Sequence, residues 1–598
     1  MKRFLVAANA LCLLAAMAAN ALVPPRPAST GGPAGQALWQ GSKQAPRVAF
    51  LGGKGVGPAS WRSVPATPPS PDLIEALLSD PVLAAGLETV VFSIDGASVS
   101  SLDGTLSEPL AGDPVEAGRQ FLLAHRALFH LPDWPGTDWL PLLRHDRAAG
   151  ALHLAFGLAI GGLPVEGARI DLHLGSDRQL QMVTGSFPAV TGAPKAAAFT
   201  AAQAIGRAAA AVGVGRWRAA PRAGQVGRPG PDGIATVWRV DLPAADPLGD
   251  FRVEVDGVTG AVLGCQDRIA YRAAPGGDRE TGQGSVFANH PLTGRPVLAP
   301  LPRLATHTLV GEFVRIRNDN GPTAVSLEDR YVFDPSDTHF DEVNAYHHLD
   351  RVHAFFAGLG DSTVCPVARA WVHYGTNVDN AFYSPFEDRI RFGDGSRFND
   401  FAQEEAGIRF GDGSRFNDFA QEEAVIYHEY AHAVLHRIVA LEYAGEAGAI
   451  NEGQADYFAA SLSGEPRIGE WVAAKAGLPF LRTLDNTLHY PEDCTNEVHD
   501  DGRIWGGALW DLRRALGPAV TDRLVHAGHF FLKPGEPWFR DGCTAILTAD
   551  RNLFAGRHRP TITAVFAHRG IVPEAGPGAV LTGTDLAAMC RFRNLHRE

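Results

Sequence analysis

Cysteine is scarce in this chain and never clustered. The six cysteines, Cys12, Cys265, Cys365, Cys494, Cys543 and Cys590, stand apart, and no C-x-x-C pair occurs. Cys12 falls in the apolar start, which leaves five beyond it. An odd count leaves at least one thiol outside any internal disulfide, and Cys494 with Cys543 is one candidate pair. A surplus of positive charge is also missing. The formal net charge is −13, which argues against nucleic acid and anionic membrane as partners. Long apolar runs are absent beyond the first residues, so no later segment is expected to cross a bilayer. At the start, Lys2 and Arg3 precede an apolar stretch and the small-residue run Ala19-Asn20-Ala21. That order reads as a secretory signal cleaved near Ala21, with export to an oxidising compartment. With 598 residues the chain exceeds one core, and several domains are expected.

What is present centres on His428-Glu429-Tyr430-Ala431-His432, followed by Asn451-Glu452-Gly453-Gln454-Ala455-Asp456. Positions i and i+4 share a helix face, so His428 and His432 can point at one metal ion. Glu452, on a following helix, is the natural third ligand of a zinc ion that keeps one position open for water. Asp456 lies one turn further on and can hold a ligand imidazole by its free ring N–H. Glu429 sits beside the histidines without sharing their direction, where a general base belongs. The longer H-E-x-x-H-x-x-G-x-x-H pattern fails, because Leu435 and Ile438 occupy its Gly and His positions. His436 continues the stripe but cannot converge on the same ion, and is read as a surface or packing residue. His347 and His348 are adjacent, face different ways on a helix, and are read as structural.

The run from His428 to Glu452 resembles the thermolysin-like zinc metallopeptidases (gluzincins), closest to the fungalysin branch. The resemblance implies an α+β fold: an αβ prosegment, then a two-lobed catalytic domain with a β-rich first lobe and a mainly helical second lobe. It implies one Zn2+ per chain, with peptides and proteins as substrates and the chain's own prosegment as intramolecular inhibitor. It also suggests roles at matching positions. Asn380 and Ala381 would bind substrate backbone at an edge strand spanning residues 372–383. Tyr443 and His499 would stabilise the oxyanion. Arg482 would reach a substrate carbonyl, and Val425 and Leu481 would line the pocket for an apolar residue after the scissile bond. The carboxylate expected to orient His499 is replaced by Cys494, which leaves Asp493 or Glu497 for that task. The family's paired calcium site is not expected, because Ala424 and Ser463 stand where carboxylates are needed.

Taken in order, residues 1–21 read as signal peptide and 22–80 as a Pro/Gly/Ala-rich leader with few stable elements. Residues 81–190 read as a helix near 114–131 followed by strands with turns at Gly161-Gly162 and Ser176-Asp177, resembling a fungalysin/thermolysin-type propeptide. Residues 191–275 carry an Ala-rich helix at 200–214 and strands near 236–240 and 251–263, resembling a PepSY-type propeptide unit. Residues 276–424 form the first catalytic lobe and 425–598 the second. Within the first, residues 390–406 recur letter for letter at 408–424. The second copy leads into the zinc helix, expected over 418–443, and the first is expected to be an extruded loop. Further helices are expected at 508–515, 521–532, 543–553 and 561–568.

The reading is a secreted zinc endopeptidase made as a proenzyme, with Glu429 as base. One alternative is a catalytically impaired peptide-binding or inhibitor protein that keeps the zinc site. A second is an aminopeptidase, although no G-x-M-E-N run is present.

Overall fold

A computed structural model describes residues 69–93, 96–188, 194–217, 220–230, 233–246, 248–267, 280–360, 365–374, 378–384, 388–394, 416–572 and 580–582. The expected signal peptide and most of the leader lie outside these residues. So do residues 395–415, which contain most of the first copy of the duplicated segment. Among the described residues no helix is long and apolar enough to cross a membrane. The mixture of helix and strand is α+β. The chain divides into two units, one mainly before residue 195 and one mainly after it.

The first unit starts earlier than composition suggests. Ser70 caps α1 (Pro71–Ser79) by accepting the Leu73 N–H, with Pro71 in the first turn, and Leu73, Ile74 and Leu77 are buried. The leader therefore stops short of residue 71, because a capped amphipathic turn outweighs the Pro-rich composition around it. α2 (Pro81–Gly86) leads into β1 (Leu87–Phe92) and β2 (Val99–Gly104). α3 (Pro114–Ala124) is followed by β3 (Leu142–Ala148), β4 (Ala151–Ile160), β5 (Leu163–Leu174) and β6 (Leu180–Thr184). The strands pair antiparallel in the order β3-β4-β5-β6-β2-β1. Gly118 lets α3 approach this sheet closely. A Cβ there would stand 2.9 Å from a Leu172 methyl.

The second unit opens with α4 (Ala201–Val212), whose Thr200 and Gln203 form a capping box. Ala204 and Ala208 of α4 pack with Trp238, Val240, Leu242, Val253 and Val255 of the antiparallel strands β7 (Gly233–Asp246) and β8 (Leu248–Asp256).

An eight-stranded mixed sheet follows. Its members are β9 (Glu280–Val286), β10 (Val297–Thr306), β11 (Thr308–Gly311), β12 (Val314–Asn318), β13 (Arg330–Tyr331), β14 (Ala368–Val372), β15 (Ala381–Ser384) and β16 (Arg389–Phe392). Their order is β13-β9-β10-β11-β12-β14-β16-β15, which makes β15 an edge. Helix α5 (Thr338–Leu359) runs between β13 and β14 with most of its residues buried. Two expectations change here. The edge strand is only Ala381–Ser384, because Val372 ends an interior strand that pairs on both sides. The start of the first copy is not extruded, because Ile390 and Arg391 pair with strands on both flanks.

Helices α6 (Glu423–Ile438), α7 (Gly445–Ser463), α8 (Glu470–Ala474), α9 (Val498–Leu516), α10 (Pro518–Gly528), α11 (Phe539–Phe554) and α12 (Arg559–His568) complete the unit. The zinc-motif helix ends at Ile438, five residues before Tyr443. The chain beyond it is drawn into extended pairing, with Gly535 N–H donating to Ala440 O and Glu442 N–H to Gly535 O. The partnership offered by Gly535 outweighs the local helix signal. Cys494 and Cys543 are both buried and are not joined by a disulfide, so the candidate pair is withdrawn.

Candidate metal centre and active site

α6 and α7 pack together, and α9 lies against α7 at a seam of glycines. A Cβ on Gly453 would stand 2.4 Å from Gly502 O, and one on Gly506 would stand 3.0 Å from Gly453 O. That close approach brings the N-terminal turn of α9 to Glu452. α9 begins ten residues before the expected start at residue 508, because Glu497 caps it by accepting the His499 and Asp500 N–H groups.

His428 and His432 occupy successive turns of α6, with their Nε2 atoms 2.9 Å apart. Glu452 Oε2 is 3.4 Å from His428 Nε2, and Glu452 Oε1 is 3.5 Å from His432 Nε2. The outer nitrogens both face an oxygen. His428 Nδ1 is 2.8 Å from Asp456 Oδ1, and His432 Nδ1 is 2.8 Å from Asn451 Oδ1. Each acceptor places the ring proton on Nδ1 and leaves the Nε2 lone pair facing the common point. Glu452 Oε2 is buried there without a hydrogen bond. An unsatisfied buried carboxylate oxygen beside two imidazole lone pairs is the donor set a zinc ion takes. The residues present fit a zinc ion. Asn451 was not anticipated, although it adjoins Glu452 in sequence.

Asp456 does more than face His428. Its carboxylate also receives Arg482 Nε at 2.8 Å and Nη2 at 2.9 Å. Nε and Nη2 of Arg482 are thus held by Asp456, and the expected reach of its guanidinium to a substrate carbonyl stands as a proposal. A buried carboxylate needs a counter-charge, and the fixed fork of Arg matches it. Despite burial, Arg482 and His428 hold Asp456 well below the usual carboxylate range.

Glu429 is buried on α6. Burial pushes its carboxyl up to about 7, helped by the Glu452 charge and opposed by His428 and by the Tyr383 N–H that it accepts. Tyr383 belongs to the edge strand, so β15 touches the proposed base directly. His499 Nε2 lies 3.5 Å from Glu452 Oε2 and 3.3 Å from Tyr443 Oη. Its Nδ1 is 2.7 Å from Glu497 Oε1, while Asp493 instead accepts the His489 N–H. Glu497 therefore orients the ring. The Tyr443 ring is half exposed, and its hydroxyl donates to Glu452 Oε1 at 2.5 Å.

The other expected residues lie around this group. Ala381 is in the edge strand, and Asn380 O accepts the Gly393 N–H. Val425 is buried in the first turn of α6, and Leu481 is half-buried with its N–H on Ile468 O. Ala424 is buried, and the Ser463 hydroxyl donates to Ala460 O. His348 is buried between the Tyr427 hydroxyl and Phe287 O, His347 faces Pro300 O, and His436 is exposed.

A sequence profile of the fungalysin metallopeptidase family (M36) matches residues 408–575, beginning with the second copy of the duplicated segment. Bacillolysin from Bacillus subtilis subsp. amylosacchariticus is 23% identical over 464 residues, covering 71% of this chain and 84% of that protein. Extracellular metalloproteinase 3 from Trichophyton soudanense is 28% identical over 188 residues, covering 25% of this chain and 48% of that protein. The solved precursor of protealysin from Serratia proteamaculans shares 20% identity at a TM-score of 0.36, covering 45% of this chain and 91% of that one.

Proposed function

We propose, on the premise that this chain is a thermolysin-like metallopeptidase, that it is a secreted endopeptidase made as a proenzyme. His428, His432 and Glu452 would hold its zinc. The observation that carries this reading is the convergence of two imidazole lone pairs and a buried Glu452 oxygen that lacks a hydrogen bond. Bound there, zinc would supply Lewis acidity that activates water and polarises a peptide carbonyl.

The chain's own groups do the rest. Glu429, with its carboxyl pushed up to about 7, takes a proton from the attacking water and returns it to the departing amine. His499, oriented by Glu497, donates to the oxyanion as it develops, and the Tyr443 hydroxyl assists. Asp456 and Asn451 hold the two ligand imidazoles in the tautomer that leaves Nε2 available, and Arg482 fixes Asp456. Substrate adds beside Ala381 as an extra strand, because an edge offers backbone groups for pairing. Val425 and Leu481 lie near the apolar specificity pocket. The two-lobed arrangement and the prosegment, from residue 22 to about 275, belong to the same reading.

The test is the intact mass of the secreted protein, wild type beside Glu429→Gln. Loss of the first 250 or so residues in wild type, with the mutant left long, is the expected outcome. Trimming of both assigns the cut to another protease. Full-length wild type without turnover would count against an active enzyme.

A further inference from the structure

The sheet that carries β1 has as its outermost strand a segment from the far end of the sequence. β17 (Val580–Thr582) pairs antiparallel with β1, with Thr582 opposite Thr89, Leu581 opposite Val90 and Val580 opposite Val91. The residues from Gly576 on accordingly group with the first unit, although the chain just before them belongs to the second.

The sequence supports both halves of this arrangement. Ile571 closes the helical part after α12: it is buried, and its N–H donates to Phe566 O. The run Pro573-Glu574-Ala575-Gly576-Pro577-Gly578-Ala579 then has the composition of a connector. Val580 and Thr582 are β-branched, which favours a strand. On the other side, β1 has a use for a neighbour. Val90 and Val91 are buried, and among the described residues β1 otherwise pairs only with β2. A strand of this apolar character left at an edge invites pairing with other chains, and β17 covers the middle of it. β17 also lies beyond residue 575, where the family match stops.

We propose that the segment carrying β17 is a tether that keeps the prosegment on the rest of the chain after the two are cut apart, a proposal that rests on the proenzyme reading above. A cut near residue 275 severs the covalent path from β1 to the catalytic helices. The ladder between β1 and β17 leaves a second, non-covalent path, because β17 is continuous with α12 through its connector. A ladder of three residues is weak by itself. Held on a short connector, it meets its partner at an effective concentration of about millimolar, so even a weak ladder slows release. Shedding the prosegment then requires β17 to peel away from β1.

The test uses the full chain carrying Glu429→Gln, with the site of a sequence-specific protease inserted at residue 275 and cut after purification. The fragment from residue 22 to the cut should co-elute with the remainder on size exclusion. Deleting residues 576–598 should weaken its retention on dilution by about tenfold or more. Leu581→Pro with Thr582→Pro should act likewise. Alternate residues of an antiparallel strand turn their N–H groups to the partner, so one of two adjacent prolines removes a ladder donor. In the uncut chains, hydrogen exchange at residues 89–91 should quicken in both variants. Exchange at Leu154 and Leu172, in the interior strands β4 and β5, should stay as in wild type. Retention unchanged by either variant, or lost without faster exchange at 89–91, would overturn the proposal. So would a fragment that leaves the unaltered tail as readily as the variants. Faster exchange throughout the first unit would make β17 part of its core and overturn the tether as well. A secreted wild-type chain that is never cut would count against the proenzyme reading, while the exchange difference at 89–91 would leave the pairing standing.

Discussion

In the cluster of His428, His432 and Glu452, and in the cluster of Asp341, His373 and Asp418, the ligand-type atoms lie within 4.8 Å of one another. Distance alone does not separate them. Ring protons do. In the first, Asp456 and Asn451 take the outer nitrogens, so both Nε2 lone pairs face inward. In the second, His373 Nδ1 faces Asp394 Oδ1 and Nε2 faces Thr338 O at 2.7 Å, with Asp341 Oδ2 at 3.4 Å. A backbone carbonyl can only accept, so Nε2 carries a proton. Against burial, Asp394 and Asp341 raise the His373 pKa above its ordinary value, just as Asp456 and Glu452 raise that of His428, so the carbonyl on Nε2, and not basicity, separates the two clusters. The second cluster is a trapped imidazolium among carboxylates. It joins α5, β14 and the turn after β16, and it does not offer a metal a lone pair.

This contrast can be broken most severely at the proposed base. Glu429→Gln should cut turnover of an end-blocked peptide by about 10²–10⁴-fold while the zinc content stays that of wild type. Equal turnover would remove Glu429 from the chemistry. Next in size, His499→Ala should cost about 10²–10³ in kcat, and Glu497→Gln less, because it only releases the ring that His499 uses. A larger loss from the Glu497 change would contradict that order. Gly506→Ala forces a Cβ within 2.7 Å of a Leu484 methyl and 3.0 Å of Gly453 O. It should lower stability by about 1–3 kcal/mol in a denaturant titration and loosen His499 from Glu452. The smallest effect sharpens the comparison at the second cluster. His373 has a raised folded pKa, so its contribution to stability is full below about pH 6.5 and is lost as pH rises through the folded value. The stability gap between wild type and His373→Gln should therefore narrow with rising pH. A gap that widened would mean that the ring is neutral.

The clustering of His428, His432 and Glu452 was legible in the sequence because helix periodicity is local: a spacing of four residues between His428 and His432 fixes a shared face before any tertiary contact forms. Asp456 one turn after Glu452 was legible for the same reason. What failed depended on distant partners. Tyr443 left the helix because Gly535 pairs with the chain ahead of it. The start of α9 was hidden in the polar run around His499, where a Glu497 cap replaces an apolar stripe as the signal. The pairing of Arg482 with Asp456 was hidden because the two lie twenty-six residues apart in sequence. In the first unit the turns at Gly161-Gly162 and Ser176-Asp177 were readable and match the breaks between β4, β5 and β6. The capped turn at Ser70 was lost against its Pro-rich background.

Zinc per chain tests the central claim most directly, measured in the purified full chain beside His432→Ala and His373→Gln. The account predicts one zinc in wild type, close to none in His432→Ala and one in His373→Gln. Two zinc ions in wild type, or loss of zinc in His373→Gln with retention in His432→Ala, would contradict it.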